Sequence, residues 1–264
     1  MRVKLLAHTQ LSDDFRDRFD RYPMGAYVGN NIDDYGATDG QVVALSAIRT
    51  CYSANKPSEI VAKEGKRYFE TKASDGEGGS EADRLIRQIF ASKHTSTLEH
   101  LSFTFAIEGV SRALLAQLTR HRVGFSFSVQ SQRYVRLGSD DKSGGFDYVV
   151  PDKIANEYEE VEGYGLIHDA DKQEAGEVFR SFMEKAQETY DDLRRLGIPA
   201  EDARAVLPNA TATNLVMTAN LTALIGFYSK RKPGNGAQAE IANLAEALID
   251  AVIAVEPWTS AFFE

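Results

Sequence analysis

The chain has 264 residues, 43% of them hydrophobic and 26% charged, with a formal net charge of -9; these are the proportions of a folded globular protein with material for a sizeable core, and they exclude a disordered chain. The acidic total excludes a protein that coats nucleic acid through a broad basic surface, while a localised basic pocket stays open. A single cysteine, Cys51, excludes an internal disulfide framework and a multi-cysteine metal site.

The N-terminal "MRVKLLAHTQLSDDF" lacks a signal-peptide core and cleavage site, and "VKLLAHT" from Val3 predicts a first strand. "QVVALSAIRTCYS" from Gln41 has helical apolar spacing, and the charged, glycine-rich stretch Lys56 to Ser80 reads as a surface excursion. "EADRLIRQIFASKH" sets Leu85, Ile86, Ile89 and Phe90 on one helical face, and "LSFTFAI" alternates Leu101, Phe103, Phe105 and Ile107 as a strand does. "RALLAQLT" is a short helix with Leu114, Leu115 and Leu118 inward, and it delivers Arg120, His121 and Arg122 at its C-terminal end.

A polar loop follows from Ser139 to Asp152. The helix from Gln173 to Leu196 is expected to bury Val178, Phe179, Phe182, Met183, Ala186, Tyr190 and Leu193, with Gly197 and Pro199 as its stop. The acid runs "EYEEVE" and "YDD" read as solvated helix surface. A short helix from Ala200 to Val206 carries Arg204, "NLVMTA" reads as a strand, and Asn220 caps "LTALIGFYSKR", where Leu221, Leu224, Ile225 and Tyr228 share a face. "KPGNG" breaks that helix and a last one runs from Gln238 to Val255. Its apolar run and the others fall short of the roughly 20 residues that cross a bilayer, so no membrane partner and a cytoplasmic location are expected. Helices outnumber strands without a regular strand-helix-strand alternation, which predicts an α+β architecture.

From Val110 to Ser139 the chain reads "VSRALLAQLTRHRVGFSFSVQSQRYVRLGS", with no carboxylate in a protein otherwise rich in them. Guanidinium groups keep their charge and meet phosphate or carboxylate oxygens two at a time, so clustered arginines without acids point to an anionic ligand. Ser126, Ser128, Ser131, Gln132 and Tyr134 add neutral donors and acceptors that suit a nucleotide base. The alternative is a solvated face whose arginines pair with acids elsewhere. Phe125, Phe127 and Tyr134 among arginines would also suit stacking on single-stranded RNA, or simply a half-buried strand.

"RHRVGFSFSVQSQRYV" resembles the signature of the flavin-dependent thymidylate synthases, an Arg-His-Arg triplet followed by a serine and an Arg-Tyr pair; here eight residues separate Arg122 from Ser131. "RTCYSANKP", "HTSTLEHLSFTF", "GVSRALLAQLTRHR", "ARAVLPNATATNLVMTAN" and "AQAEIANLAEAL" resemble segments of that family in order. The resemblance implies one domain over 1–264 with a central antiparallel sheet flanked by helices, interrupted by polar excursions at about 56–80 and 139–152. It implies reductive methylation of dUMP to dTMP, with 5,10-methylenetetrahydrofolate as carbon donor and FAD, reduced by NADPH, as hydride donor. It also implies a homotetramer with sites built from more than one subunit.

By the same resemblance Arg231 is the catalytic residue that favours charge on the uracil ring. Arg112, Gln117, Arg120, Ser131, Gln132, Arg133, Tyr134 and Arg204 join it in binding dUMP. Ser96, Arg120, His121, Arg122 and Asn220 contact FAD, and His94 lies on the folate and flavin side. Cys51 lacks the Pro-Cys context of the thiolate used by the other thymidylate synthases. Val129, Gly226 and the Asn235/Gly236 region depart from the family, mostly on the flavin side, leaving a flavin- and folate-dependent hydroxymethylase or a noncatalytic nucleotide or RNA binder as alternatives. "GNGAQA" imitates a dinucleotide loop but follows a helix and a proline, not a strand. His94 and His100 lack metal-site spacing, so no metal is expected.

Overall fold

The computed structural model describes residues 1–20, 32–155 and 169–263. In chain order the elements are β1 (Arg2–His8), α1 (Asp13–Asp20), α2 (Asp39–Tyr52), α3 (Ile60–Phe69), α4 (Glu81–Ala91), β2 (Ser102–Ser111), α5 (Arg112–Leu118), β3 (Phe125–Val129), α6 (Asp152–Ala155), α7 (Asp169–Arg195), α8 (Ala200–Ala203), β4 (Ala212–Asn220), α9 (Leu221–Arg231) and α10 (Ala239–Val255). The four strands form one sheet of order β1-β2-β4-β3, antiparallel throughout. This is the α+β arrangement expected from the sequence.

Alternation explains why the sheet has two unlike faces. Phe103, Phe105 and Ile107 of β2 and Leu215, Met217 and Ala219 of β4 are buried together with Leu114, Leu118, Leu221, Leu224, Phe227, Ile241, Leu244 and Leu248 from α5, α9 and α10. Each such leucine or phenylalanine removed from water contributes about 1.5–3 kcal/mol. The other face carries Thr104, Ala106, Val216, Thr218, Ser126 and Ser128, all half-buried or exposed, with the Thr104 and Thr218 hydroxyls 2.9 Å apart.

Two expectations are corrected. The stretch 56–80 is not a mere surface excursion: α3 buries Ile60, Val61, Tyr68 and Phe69, and Val61, Tyr68 and Phe69 pack in a second cluster with Val42 and Leu45 of α2. Glycine and charge masked a short amphipathic helix there. On α7, Val178 and Phe182 are 69% and 57% exposed. The inward stripe is narrower: Met183 and Ala186 pack with Phe146 from the 139–152 loop and with Leu207 and Ala210, and Tyr190 is buried beyond them. That loop is docked: Ser139 donates to Asp191, and Gln187 accepts from the Phe146 amide at 2.8 Å. The "EYEEVE" run lies outside the described residues.

Helix α2 begins with a capping box, Thr38 and Gln41 each bonding the other's backbone amide. Against this start sits Glu256, 1% exposed, whose carboxylate accepts from the Gly40 amide at 3.1 Å, from Trp258 Nε1 at 2.5 Å and from the Thr38 hydroxyl. Burial pushes its carboxyl pKa up, and the three hydrogen bonds oppose that push. A Cβ on Gly40 would stand 2.4 Å from Glu256 Oε1 and 2.5 Å from Cδ. The carboxylate is held from three sides, so Gly40→Ala is expected to destabilise the fold by about 2–3 kcal/mol, a fall in Tm of about 5–10 °C for a chain of this size. The fluorescence of Trp258, bonded to that same carboxylate, follows the transition; an unchanged Tm would show that this contact gives way.

Candidate functional site

Local structure places the basic residues. Strand β2 ends at Ser111, whose hydroxyl caps α5 by accepting from Leu114 N at 2.9 Å and donates to Glu240 of α10 at 2.6 Å. Arg112 is thereby the first residue of α5, and its own amide donates to Thr211 O at 3.0 Å just ahead of β4. After α5 the chain passes Arg120, His121 and Arg122, then turns at Gly124, which has φ +74. A Cβ there would meet Ala223 Cβ at 2.6 Å and Asn220 Nδ2 at 2.8 Å, so the turn can lie against the start of α9 only as glycine. Strand β3 then runs along β4 with Phe125 opposite Ala219 and Val129 opposite Leu215.

This course sorts the sequence-predicted residues into two groups. Beyond Val129 lie Ser131, Gln132, Arg133 and Tyr134, near Arg112 and Arg204. Arg112 Nη2 donates to Gln130 O at 3.0 Å. Its Nε is buried without a partner, and so is Gln132 Nε2. Burial, and then the charge of Arg204, lower the Arg112 pKa, so the two guanidiniums stand within each other's field. Arg133 donates Nε and Nη2 to Glu201 Oε2 at 3.1 and 3.0 Å, and Arg204 Nε donates to Glu201 O at 3.0 Å. Ser131 Oγ accepts from Arg133 N at 3.2 Å, and the Arg133 guanidinium lies 5.6 Å from the centre of the exposed Tyr134 ring. Gln117, on α5, donates to Gln238 at 2.6 Å.

The second group lies at the Phe125 end. Arg231, the last residue of α9, donates Nε to His121 Nε2 at 3.3 Å, which requires that nitrogen to be unprotonated. Burial, followed by the charges of Arg231, Lys230 and Arg120, holds the His121 pKa below its ordinary value. Arg120 and Arg122 are exposed. Asn220 Oδ1 accepts from Ala223 N at 2.8 Å as the cap of α9, leaving its amide nitrogen toward Gly124. Between the groups stands β3, five residues long, or roughly 17 Å at the rise of a strand. Within one chain the guanidiniums of Arg133 and Arg204 share Glu201, and Arg231 is apart from them.

A third location holds Ser96 and His94. Ser96 lines a cleft of about 760 Å³ whose wall is largely apolar, from Leu11, Phe15, Val43, Ala47 and Pro57, set with the hydroxyls of Ser46, Thr50 and Ser58 and with His100, and without a lysine, arginine or carboxylate. Such a wall suits a planar heterocycle that is held by hydrogen bonds and apolar contact, and flavin and adenine are both of that kind. The sequence reading gave the cleft-lining Thr50 no role and weighed Cys51 only as a thiolate; their place on the last turn of α2, shared with Arg49, was the available signal. His94 Nδ1 is 2.8 Å from Tyr52 Oη. Of the family departures, Val129 packs on the core and Gly226 is exposed, with nothing near its Cβ position. Among the described residues no three His, Cys, Asp or Glu gather as a metal site and no helix is long and apolar enough to cross a membrane.

Comparison with known proteins places these observations in a family. Residues 35–258 match the model of the thymidylate synthase complementing protein family. The flavin-dependent thymidylate synthase of Geobacter sulfurreducens is 37% identical over 219 residues, covering 83% of this chain and 80% of the relative; that of Halobacterium salinarum is 40% identical over 185 residues, covering 68% and 74%. The structure resembles that of the UMP/dUMP methylase PolB of Streptomyces cacaoi with 5-Br dUMP, at a TM-score of 0.67 and 24% identity over 99% of this chain and 93% of that one. A second structure of the same methylase, with 5-Br UMP, aligns at a TM-score of 0.58 and 32% identity over 69% of this chain and 82% of that one.

Proposed function

Because this chain belongs to the thymidylate synthase complementing protein family, the flavin-dependent thymidylate synthases, we propose that it methylates dUMP to dTMP, with methylenetetrahydrofolate as carbon donor and FAD reduced by NADPH. The observation that carries the nucleotide reading is the pair of buried, unpartnered donors, Arg112 Nε and Gln132 Nε2. A buried donor without a partner costs about 1–3 kcal/mol, and an anion seated between Arg112 and Arg204 would remove that cost and their repulsion together.

Arg112, Arg133 and Arg204 then bind the phosphate, with Glu201 holding Arg133 until the anion takes its place. Gln117, Arg120, Ser131, Gln132 and Tyr134 provide the remaining hydrogen bonds and contact surface for the nucleotide. Arg231 stabilises negative charge as it develops on the uracil, and the neutral His121 leaves the rest of that guanidinium to the ring. Ser96, Arg120, His121, Arg122 and Asn220 would hold FAD, the arginines facing its phosphates. The flavin supplies the hydride that completes the methyl group. The two arginine groups flank opposite ends of β3, and we read a site that uses both as completed by a second copy of the chain, in keeping with a homotetramer. The two further co-substrates are small molecules of the cytoplasm, where we place the enzyme; neither nucleic acid nor membrane is a partner in this reading. The matched segments span nearly the whole chain, which we read as one domain.

Purified protein is expected to be yellow, to oxidise NADPH faster with dUMP present, and to release a nucleotide heavier than dUMP by one methylene unit on mass spectrometry. A hydroxymethyl product is the second reading, favoured by the family departures at Val129 and Gly226, neither of which offers a side-chain hydrogen bond. Saturating dUMP is also expected to raise Tm; at 100 times Kd the linkage amounts to about 2.7 kcal/mol. Colourless protein with an unmoved melting curve would overturn the proposal.

A further inference from the structure

We infer that Tyr52 is a positioning residue for His94, using its hydroxyl to hold the imidazole in the tautomer that carries the proton on Nε2. The inference rests on the proposed reaction, in which His94 stands on the folate and flavin side.

Tyr52 closes α2 and is 57% exposed, so core packing does not account for its position. Its Oη lies 2.8 Å from His94 Nδ1, and the two rings meet edge to face at 5.9 Å and 85°. Both partners are braced from behind. After Tyr52, Ser53 N donates to Arg49 O at 2.7 Å, and Glu64 accepts from Ser53 Oγ at 2.5 Å and from Arg49 Nε at 2.6 Å. Before His94, Lys93 has φ +63, the only non-glycine residue in the left-handed region among the described residues, a conformation that side chains beyond glycine generally avoid. It turns the chain out of α4 so that His94 N donates to Ile89 O at 3.2 Å. The buried Thr97 donates to His94 O at 3.2 Å, and Thr222 of α9 donates to Thr95 O at 2.9 Å.

The backbone on either side of the imidazole is thus tied to α4 and to α9, the helix that ends in Arg231. What remains free is the ring's own state. A phenol is a better donor than acceptor, and an unprotonated imidazole nitrogen is a strong acceptor; the 2.8 Å contact therefore puts the Tyr52 proton toward Nδ1 and the imidazole proton on Nε2. Nε2–H diverges from Nδ1 around the ring and is the donor that His94 can offer to a carbonyl of folate or flavin. Cys51 and Ser96, close in sequence to Tyr52 and His94, line the same cleft, so the pair stands beside it.

The test reads the tautomer directly and the reaction separately. In ligand-free full-length protein labelled with 15N-histidine, the His94 ring signals, assigned by their loss in His94→Gln, are expected to show Nε2–H in the wild type and a mixture of tautomers in Tyr52→Phe. In turnover, Tyr52→Phe is expected to raise KM for methylenetetrahydrofolate about tenfold, with a smaller change in kcat, and to have no further effect in a His94→Gln background. An unchanged ring spectrum in Tyr52→Phe, or effects of the two substitutions that simply multiply, would overturn the assignment. The spectrum is taken without substrates, so it decides the Tyr52 role even where the product test above fails.

Discussion

With Arg231 replaced by alanine, the enzyme is expected to stay yellow while dTMP formation falls by at least about 10²–10³-fold, the usual effect of removing a fixed donor from developing charge. Arg231 is only half-buried, ends α9 and spends one nitrogen on His121; it belongs to none of the three buried core clusters, so folding should survive. The same substitution removes one of the cations that depress the His121 pKa, which must then move up toward its ordinary value. The sign follows for stability. A histidine whose pKa is lowered in the folded state binds fewer protons than the unfolded chain between that lowered value and about 6.5, so stability is lost as pH falls through this window. Arg231→Ala should shrink that loss, as thermal melts at neutral and mildly acidic pH would register. Full turnover in the variant would remove Arg231 from the reaction.

Arg112→Ala is the second large effect, and it separates binding from folding. The Arg112 guanidinium is partly desolvated, lies in the field of Arg204 and has a buried Nε with no partner. Its Nη2 donates to Gln130 O at 3.0 Å. Ligand-free Tm should therefore hold or rise when the side chain is cut back, because a poorly partnered cation is relieved. Affinity for dUMP should fall by roughly 30- to 10³-fold, equivalent to about 2–4 kcal/mol for charge-assisted hydrogen bonds to a phosphate. The stabilisation by dUMP should vanish at concentrations that saturate the wild type. A variant that loses ligand-free stability and keeps its dUMP affinity would make Arg112 a structural residue.

Why these sites could be foreseen only in part is visible at particular residues. The alternation of Phe103, Phe105 and Ile107 and the 3.6-residue spacing of Ile86 and Ile89 are local patterns, and both elements formed as expected. Asn220 caps α9 as its position before an apolar run suggested. Helix α3 was missed because Glu59, Lys63, Glu64, Lys66 and Arg67 hide its buried stripe in a charged background. The exposure of Val178 and Phe182 depends on which segments pack along α7, a matter of tertiary packing.

The acid-poor arginine segment, the α+β pattern and the family likeness are properties of residue order, because charge and hydrophobic period are written along the chain itself. Their distribution in space is another matter. That Arg112 stands in the field of Arg204, that Glu201 holds Arg133 and that Arg231 meets His121 are outcomes of how the strands pair and the helices dock. Strand register and helix docking bring together groups nearly a hundred positions apart, and neither spacing nor composition records which of them will meet.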